Sequence, residues 1–370
     1  MDASSELLHS LSPVLLVSVL GASVVTVGLI EGVAEGTAAV TKVFAGVLSD
    51  YFQRRKMLIV FGYSLAALIK PLFPLATSAP WIFAARFLDR MSKGIRDAPR
   101  DALVADVTAQ TQRGAAYGLR QALDSLGAVI GPILAVLLML WFSGGIRAAM
   151  WVAVIPAVLS VIVLGLLVRE PERKHAAKRE PLDWSKAKQL PPRFWLIVAV
   201  GVIFTAARFS DSFLVLRARD IGFSASYAPV IIVVLNSVYA AGSYPAGAAS
   251  DRISPRTMLL IGFSFLIAAD IALALGHFIA PILAGGVLWG LHMALTQGVF
   301  SKIVAENVPA DLRGTGFGIF DLARGAAFVI ANMIAGYWWK TVGPPAAFFS
   351  AAVFATIAGI GLATATRRRH

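Results

Sequence analysis

The chain contains 370 residues, of which 58% are hydrophobic and 15% are charged, and its formal net charge is +12. Soluble globular domains carry about 25% charged residues, so this composition excludes that class and indicates a membrane protein. The absence of cysteine excludes disulfide bonds and thiolate metal sites, although it leaves the cellular compartment open.

Apolar segments of about membrane-spanning length recur along the whole chain, separated by short breaks rich in glycine, proline and charged residues. No small-residue cleavage site follows the first segment, so we expect it to be retained rather than removed as a signal peptide. The pattern predicts an all-α polytopic membrane protein with twelve spans. The predicted spans are 3–20, 26–49, 57–76, 80–103, 114–140, 147–168, 193–216, 226–248, 257–275, 279–303, 314–339 and 346–365.

The only sizeable polar gap in this pattern is 169–192, which is rich in lysine, arginine, glutamate and proline. Six apolar segments lie on each side of it. We therefore predict a six-helix bundle at 1–168, a linker at 169–192 and a second six-helix bundle at 193–370.

Basic residues are concentrated in alternate loops, the bias that marks cytoplasmic loops under the positive-inside rule. One set of loops, which includes 169–192, holds most of them. This bias predicts that both termini and the linker are cytoplasmic, in what we expect to be a bacterial inner membrane. It also argues against a nucleic-acid partner, because no basic face is interleaved with stacking aromatic residues. The opposite loops hold only Arg147, Arg217, Arg219 and Lys340.

The two halves repeat each other at an offset of about 200 residues. Residues 46–50 read Gly-Val-Leu-Ser-Asp, residues 247–251 read Gly-Ala-Ala-Ser-Asp, and Arg55 and Arg256 follow at matching distances. A six-plus-six repeat predicts a pseudo-two-fold relation between the halves, which is typical of secondary transporters whose halves rock about a central site.

The predicted fourth span is unusually charged, with Arg86, Asp89, Arg90 and Lys93 at helical spacing. An unpaired charge in hydrocarbon costs roughly 2.5–3.5 kcal/mol on insertion scales, so such residues persist where they face a protein interior or water. Asp89 lies within helical reach of Arg86 and Lys93. We therefore assign these four residues to a substrate or proton pathway.

Other ionisable residues inside predicted spans form pairs at helical spacing, as Glu31 does with Glu35 and Arg120 with Asp124. We add these pairs, and Arg208 with Asp211, to the predicted pathway. The alternative for each pair is a structural role or a place at a loop edge. His292 stands alone, so we expect a packed residue rather than a metal ligand. The remaining polar groups in the spans are Lys42, Lys70, Asn236, Asp270, Asp321 and Arg324.

The repeat also bears on the start of the chain. Span seven begins near Phe194, whose counterpart would precede Met1, so we expect the first span to be short, as though the native protein began further upstream. Asp2, Glu6 and His9 would then share one helix face inside the span, where Asp2 and Glu6 join the predicted pathway. The alternative is a solvated N-terminus.

Three motifs lie in or beside predicted spans two, four and five. The loop after span two contains G-x-x-x-D and later basic residues, span four contains R-x-x-x-G-x-x-x-A, and span five contains two widely spaced glycines before G-P. On these motifs, the chain resembles the major facilitator superfamily over essentially its whole length, and the span-five motif resembles that of its twelve-span efflux branch. Residues 51, 53, 135 and 136 depart from the motifs. The matching residues are Gly46, Asp50, Arg54 and Arg55, their repeats Gly247, Asp251 and Arg256, then Arg90, Gly94 and Ala98, and Gly118, Gly127, Gly131 and Pro132.

The resemblance implies two six-helix bundles that alternate access to a small-molecule site. Asp50 ends span two, where we expect it to pair with basic residues near another span and to latch one state as part of a gating motif. Arg90 is expected to hold a carboxylate that is poised for protonation. Gly127 and Gly131 are expected to bring span five close to a neighbour from the other half.

The leading functional hypothesis is a proton antiporter that exports a small molecule, with Glu35 and Asp89 as the candidate proton carriers. No Walker-type phosphate loop is present, so we expect the proton gradient, rather than ATP, to supply the energy, and no cofactor or metal. An importer or uniporter of a sugar, organic anion or metal chelate is the alternative. A transporter-like membrane sensor is the alternative from another class. We expect a monomer in the lipid bilayer and not an enzyme, since no nucleophile–base set stands out.

Overall fold

The computed structural model describes residues 1–52, 55–108, 113–168, 190–249, 253–308 and 313–365. Within these ranges the chain is helical and contains no β-strand. The helices are α1 (Asp2–Val14, continued by a π-helical turn at Leu15–Val19), α2 (Val24–Phe52), α3 (Arg55–Ile69), α4 (Leu72–Leu75), α5 (Ala79–Val107), α6 (Arg113–Trp141), α7 (Ile146–Val152), α8 (Val154–Leu167), α9 (Pro192–Ala206), α10 (Ser212–Asp220), α11 (Val230–Ala249), α12 (Pro255–Leu275), α13 (Ile279–Asn307), α14 (Arg313–Thr341) and α15 (Pro344–Ala365).

Every one of the twelve predicted spans is occupied by one or two of these helices, which confirms the all-α prediction. In the described ranges, eight helical stretches are long and apolar enough to cross a membrane, and two shorter apolar helices accompany them. Helix α5 is not among them despite its 29 residues, because its charges lower its hydropathy. Its charged residues must therefore be compensated by neighbouring helices.

Span seven differs from its prediction as a single helix over 193–216. Helix α9 ends at Ala206 and α10 begins at Ser212, so the pair Arg208 and Asp211 does not lie on a continuous helix. The side-chain oxygen of Asn332 accepts a hydrogen bond from the Ser210 backbone N–H at 3.0 Å. This bond satisfies a backbone donor that the interrupted helix leaves unpaired.

Local sequence sets several helix ends. Ser254 caps α12 by accepting a hydrogen bond from the Thr257 N–H at 3.2 Å, and Pro255 occupies the first helical position, where its missing N–H is harmless. Gly144 turns the chain between α6 and α7 with a φ of +85°, a value that favours glycine. The breaks between spans therefore follow from capping and turn residues.

The chain divides into two compact units. One comprises Met1–Leu20 and Val33–Leu182, and the other comprises Gly21–Gly32 and Asp183–His370. In the first unit α1 packs on α6, and α3 packs on α5 and α8; in the second, α13 packs on α11 and α12, and α15 packs on α12. The first part of α2 thus belongs to the second unit, where Gly28 lies against the Asn332 backbone.

The predicted linker at 169–192 lies almost entirely outside the described residues. Its boundaries with the two bundles, and the cytoplasmic placement of the linker and of both termini, therefore stay predictions.

The sequence repeat is also a structural repeat. Helices α5 and α13, and likewise α6 and α14, begin and end at positions 200 residues apart. Gly62 on α3 faces Ser92 and Arg96 on α5, and Gly262 on α12 faces His292 and Thr296 on α13. The two helix pairs therefore pack in the same register, so residues 200 apart can be compared directly.

Candidate functional site

The buried charges of the first unit are concentrated on α5. Arg86, Asp89, Arg90 and Arg96 are each at most 3% exposed. Each of them contacts a polar or charged partner from another helix or turn of the same unit. The charged residues of the predicted fourth span thus face the protein, as their cost in hydrocarbon requires.

Asp89 is paired with Lys70, which lies in the turn between α3 and α4. Lys70 Nζ lies 2.7 Å from Asp89 Oδ1 and donates a second hydrogen bond to Ser5 Oγ on α1 at 2.8 Å. The side chains of Lys70 and Asp89 are 0% and 4% exposed. The predicted partners of Asp89 were Arg86 and Lys93, but this bond is formed by Lys70, from the turn that follows α3.

Arg90 pairs with Glu35 on α2. The Arg90 Nε and Glu35 Oε1 atoms are 3.1 Å apart, so Arg90 holds a carboxylate as the sequence predicted. The Glu35 side chain is 37% exposed, whereas that of Arg90 is 4% exposed. This ion pair therefore differs from Lys70–Asp89 in that the side chain of its acidic member is partly exposed.

Arg86 contacts the ring of His9 on α1, with 2.7 Å between the Arg86 Nη2 and His9 Nδ1 atoms. Lys93, one turn beyond Arg90, interacts electrostatically with the carboxylates of Glu35 and Asp2. Three helices, α1, α2 and α5, thus contribute to one continuous polar region of the first unit.

A second ionic cluster joins α5 to α6. Arg120 binds Asp124 at 2.9 Å, which confirms the predicted pair one turn apart, and it also binds Asp101 at 2.8 Å. Arg100 reaches Asp97 at 3.5 Å and Asp124 at 3.4 Å. Three members of this cluster are not among the predicted site residues, although their alternating charges at spacings of three and four residues are a visible signal: Arg100, Asp97 and Asp101.

The glycines of the span-five motif bring α6 against α1. A Cβ on Gly131 would lie 2.6 Å from Glu6 Cβ and 2.8 Å from the Ala3 carbonyl oxygen, and one on Gly127 would lie 2.9 Å from Asp2 Cβ. The prediction that these glycines face a neighbour from the other half is therefore wrong. Their partner is the first helix of the same unit.

The gating motif is described only in part. Arg54 and Asp251 lie outside the described residues, as do the side chain of Asp50 and the surroundings of Gly247 and Gly118. A Cβ added to Gly46 on α2 would lie 3.7 Å from Ala98 Cβ on α5, and Arg256 on α12 donates to the Ala363 carbonyl oxygen at 2.7 Å. Arg55 begins α3. The latch role of Asp50 stays a prediction.

The second unit contains a polar region beside the break between α9 and α10. With the Gln297 amide oriented to satisfy its neighbours, its oxygen accepts hydrogen bonds from both terminal nitrogens of Arg208, at 3.1 and 3.3 Å, and its nitrogen donates to the Tyr239 hydroxyl at 2.9 Å. Asp211 stands at the N-cap position of α10. Tyr239 and Gln297 are not among the predicted site residues, because that prediction used charged side chains within the spans.

Arg324 on α14 adds a cation to this region. Its Nε donates to Thr205 Oγ1 at 3.2 Å, and its guanidinium carbon lies 5.3 and 5.9 Å from the ring centres of Phe320 and Phe300. Asp321, three residues earlier on α14, interacts electrostatically with this guanidinium. Arg324 is therefore a fixed cation with an acidic neighbour on its own helix.

His292 is a packed residue, as predicted. It is 0% exposed, and its Nδ1 lies 3.1 Å from the Gly262 carbonyl oxygen, between the rings of Phe204 and Trp289. The described residues contain no group of three or more His, Cys, Asp or Glu side chains that could hold a metal ion. Glu31, the remaining predicted pathway residue, is 1% exposed on the part of α2 that belongs to the second unit.

Comparison with known proteins gives these arrangements a family. The model of the Major Facilitator Superfamily matches residues 3–237 and 209–370. An MFS-type transporter of Methanocaldococcus jannaschii is 31% identical over 369 residues, which cover 97% of this chain and 90% of that protein. The 3-(3-hydroxy-phenyl)propionate transporter of Escherichia coli is 26% identical over 290 residues, which cover 74% of this chain and 68% of that protein.

Solved structures agree with the sequence relatives. A bacterial homologue of the human lysosomal transporter Spinster has a TM-score of 0.78 to this chain at 17% identity, covering 99% of this chain and 95% of its own. The helical fold, the repeat of its halves and the family match over both halves lead to one conclusion. The chain belongs to the major facilitator superfamily, whose members are membrane transporters rather than enzymes.

Proposed function

We propose that the protein exports a small molecule in exchange for protons, and that Glu35 carries the coupling proton. The observation that carries this proposal is the Glu35–Arg90 ion pair, with its 3.1 Å separation and a Glu35 side chain that is 37% exposed. A carboxylate that water can reach can take up a proton, and its neutral form no longer attracts the guanidinium. Protonation of Glu35 would thus release Arg90.

Asp89, the other candidate carrier, is less suited to this task. Its side chain is 4% exposed and its partner Lys70 is 0% exposed, so water reaches neither group. Breaking a buried pair is strongly unfavourable, because it leaves an uncompensated charge. Asp89 therefore acts as a structural anchor in our proposal, and Glu35 alone cycles between charged and neutral forms.

Export is supported by the spacing of Gly118, Gly127, Gly131 and Pro132, which resembles the motif of the efflux branch. In the structure this motif holds α6 close to α1. Because α1 also supplies His9 to Arg86 of α5 and Ser5 to Lys70, the partner of Asp89, the motif supports the polar region that surrounds Glu35. Rocking of the halves would then alternate the access of water to that carboxylate.

We expect Glu35→Gln to abolish the component of transport that depends on a pH gradient, while exchange of substrate without a gradient is retained. The glutamine keeps the shape of the side chain but cannot take up a proton. Compounds that stabilise the purified protein in a thermal-shift screen would serve as substrates for liposome flux, measured with and without an imposed pH gradient. Asp89→Asn is the comparison, since it should lower both activities together through loss of stability.

Two results would contradict this proposal. If Glu35→Gln keeps the gradient-driven flux of the wild type, Glu35 is not the carrier. If the wild type itself transports equally with and without the gradient, proton antiport is excluded.

A second candidate function is transport of organic anions, and Arg324 is the observation that favours it. Its guanidinium is fixed by Thr205 and by two phenylalanine rings, and Asp321 on the same helix interacts with it electrostatically. A guanidinium edge of this kind suits a carboxylate, and the adjacent rings suit an apolar substituent. The Escherichia coli relative is named for such a compound, a phenylpropionate.

For this candidate we expect 3-(3-hydroxyphenyl)propionate to bind the wild type at least tenfold more tightly than its matched amide does, because the amide lacks the negative charge. A tenfold difference in Kd corresponds to about 1.4 kcal/mol of binding free energy. Arg324→Gln should remove the difference, and Arg324→Lys should retain part of it. Isothermal titration calorimetry on the purified protein measures both. Equal binding of the acid and the amide, or an unchanged preference in Arg324→Gln, would exclude an anion site at Arg324.

A further inference from the structure

Asp270 on α12 is a buried carboxyl group to which the proposed transport cycle gives no role. It is 0% exposed, and both of its carboxyl oxygens are buried without a hydrogen-bond partner among the described residues. No ion pair to it is present in those ranges either. Buried polar groups in proteins are hydrogen-bonded in the great majority of cases, so this exception calls for an explanation.

The internal repeat supplies a direct comparison. Asp270 occupies the position of Lys70, and Trp289, 1% exposed, occupies the position of Asp89. The equivalent packing of Gly62 and Gly262 shows that the two helix pairs have the same register. The first unit therefore places an ion pair at this level, whereas the second places a carboxyl group and an indole.

In the described part of the chain, the helices packed against α12 form no ion pair with Asp270. Helix α15 contains no ionisable residue over Pro344–Ala365. On α13, the His292 ring is bonded to the carbonyl oxygen of Gly262, a residue that precedes Asp270 by about two turns of α12. Lys302 and Glu306 belong to the last turns of α13.

Arg217 on α10 is a cation that contacts the C-terminal end of α12, and its bonds are directed elsewhere. Its nitrogens donate to the carbonyl oxygens of Leu273 at 2.9 Å and Gly276 at 2.7 Å, at the C-terminal end of α12, and it also pairs with Asp220. The guanidinium thus satisfies helix carbonyls rather than the carboxyl group of Asp270.

We infer that Asp270 is a proton-binding site of the second unit, which holds its proton as a neutral carboxylic acid in the conformation described here. An isolated carboxylate in a dry interior is far less stable than the neutral acid, so the group keeps its proton until water or a cation reaches it. The proton would then leave to water. The carboxylate would stay charged until water is excluded from the site and a proton is bound again. An ionisable residue within a candidate membrane span points to such a role.

The use of this site in transport rests on the proposed proton coupling. The presence of a proton on Asp270 does not depend on that coupling. Protonation of Asp270 can be measured without a substrate and without a gradient. It is also separate from Glu35, which lies in the other unit. Failure of the antiport proposal and failure of this inference would therefore appear in different experiments.

Infrared difference spectroscopy of the protein in lipid tests the inference. At neutral pH we expect the wild type to show the C=O stretching band of a protonated carboxyl group, Asp270→Asn to lose that band, and Glu35→Gln, in the other unit, to keep it. As the pH is raised, the band should disappear in a titration while the protein stays folded. A wild-type spectrum that Asp270→Asn does not change would overturn the assignment. A band that never titrates would show a permanently neutral structural acid and overturn the proton-binding role.

Thermal stability gives an independent readout that does not depend on spectral assignment. Asp270→Asn and Asp270→Leu should melt at or above the wild-type temperature, because neither removes a charge that another buried group needs. Lys70→Met, the variant at the equivalent position of the first unit, should melt at a lower temperature, because it leaves the Asp89 carboxylate without its ammonium. If Asp270→Asn is destabilised as strongly as Lys70→Met, Asp270 is ionised and paired, and the inference fails.

Discussion

Replacement of Asp89 by asparagine is expected to lower the free energy of unfolding by about 3–5 kcal/mol, the range measured when one member of a buried ion pair is removed. The ammonium group of Lys70 is 0% exposed, and its bonds are to Asp89 at 2.7 Å and to Ser5 at 2.8 Å. Without the carboxylate, that ammonium would be held by a hydroxyl and a neutral amide only. A loss of this size would strongly reduce the amount of folded protein in the membrane.

The double variant Lys70→Met/Asp89→Asn separates charge from packing. Methionine fills much of the lysine volume without a charge, so the double variant should recover most of the stability that Asp89→Asn loses. Lys340→Met, at the exposed end of α14, serves as the control and should change little. The melting temperatures of the wild type and the three variants can be measured in detergent by fluorescence-detected size exclusion. If the double variant is no more stable than Asp89→Asn, the pair is not the source of the stability.

The spans could be predicted from the sequence because each depends on local properties. Hydropathy and length identify the apolar helices, and short motifs spaced 200 residues apart reveal the repeat. The pair Arg120–Asp124 could also be anticipated, because it follows from spacing along one helix. The sequence predicts that Arg90 holds a carboxylate, but it does not identify Glu35 as the partner.

The partner of Asp89 could not be found in the same way. Arithmetic along one helix offered Arg86 and Lys93, but Lys70 lies 19 residues earlier, beyond the end of another helix. Only the packing of α3 against α5 brings the two groups together. Charge pairs between helices depend on rotation and register, which hydropathy does not report.

The break in span seven has a similar cause. The residues between α9 and α10 include no glycine or proline that would announce an interruption. The interrupted backbone is instead stabilised by Asn332, 122 residues further along the chain. Such a break, with Arg208 and Asp211 beside it, is the kind of irregular backbone that transporters tolerate where it lines a functional region.

Gly131→Ala is expected to destabilise the protein by about 1–3 kcal/mol, the usual effect of forcing extra atoms into a packed interior. The added methyl group would lie 2.6 Å from Glu6 Cβ and 2.8 Å from both the Ala3 carbonyl oxygen and the Leu7 nitrogen. Two of these three atoms belong to the α1 backbone, which cannot move aside as a flexible side chain can. Helix α1 would have to shift away from α6.

Gly165→Ala on α8 is the matched control, since open space surrounds the Cβ position there. Alanine is favoured over glycine inside helices by about 1 kcal/mol, so that variant should keep or raise the melting temperature. The same substitution is thus expected to have opposite signs at the two positions, which distinguishes steric conflict from helix propensity. Because α1 carries Ser5 and His9, the shift in Gly131→Ala should also weaken the bonds to Lys70 and Arg86. A melting temperature of Gly131→Ala at or above that of the wild type would show that the close contact between α1 and α6 does not hold the first unit together.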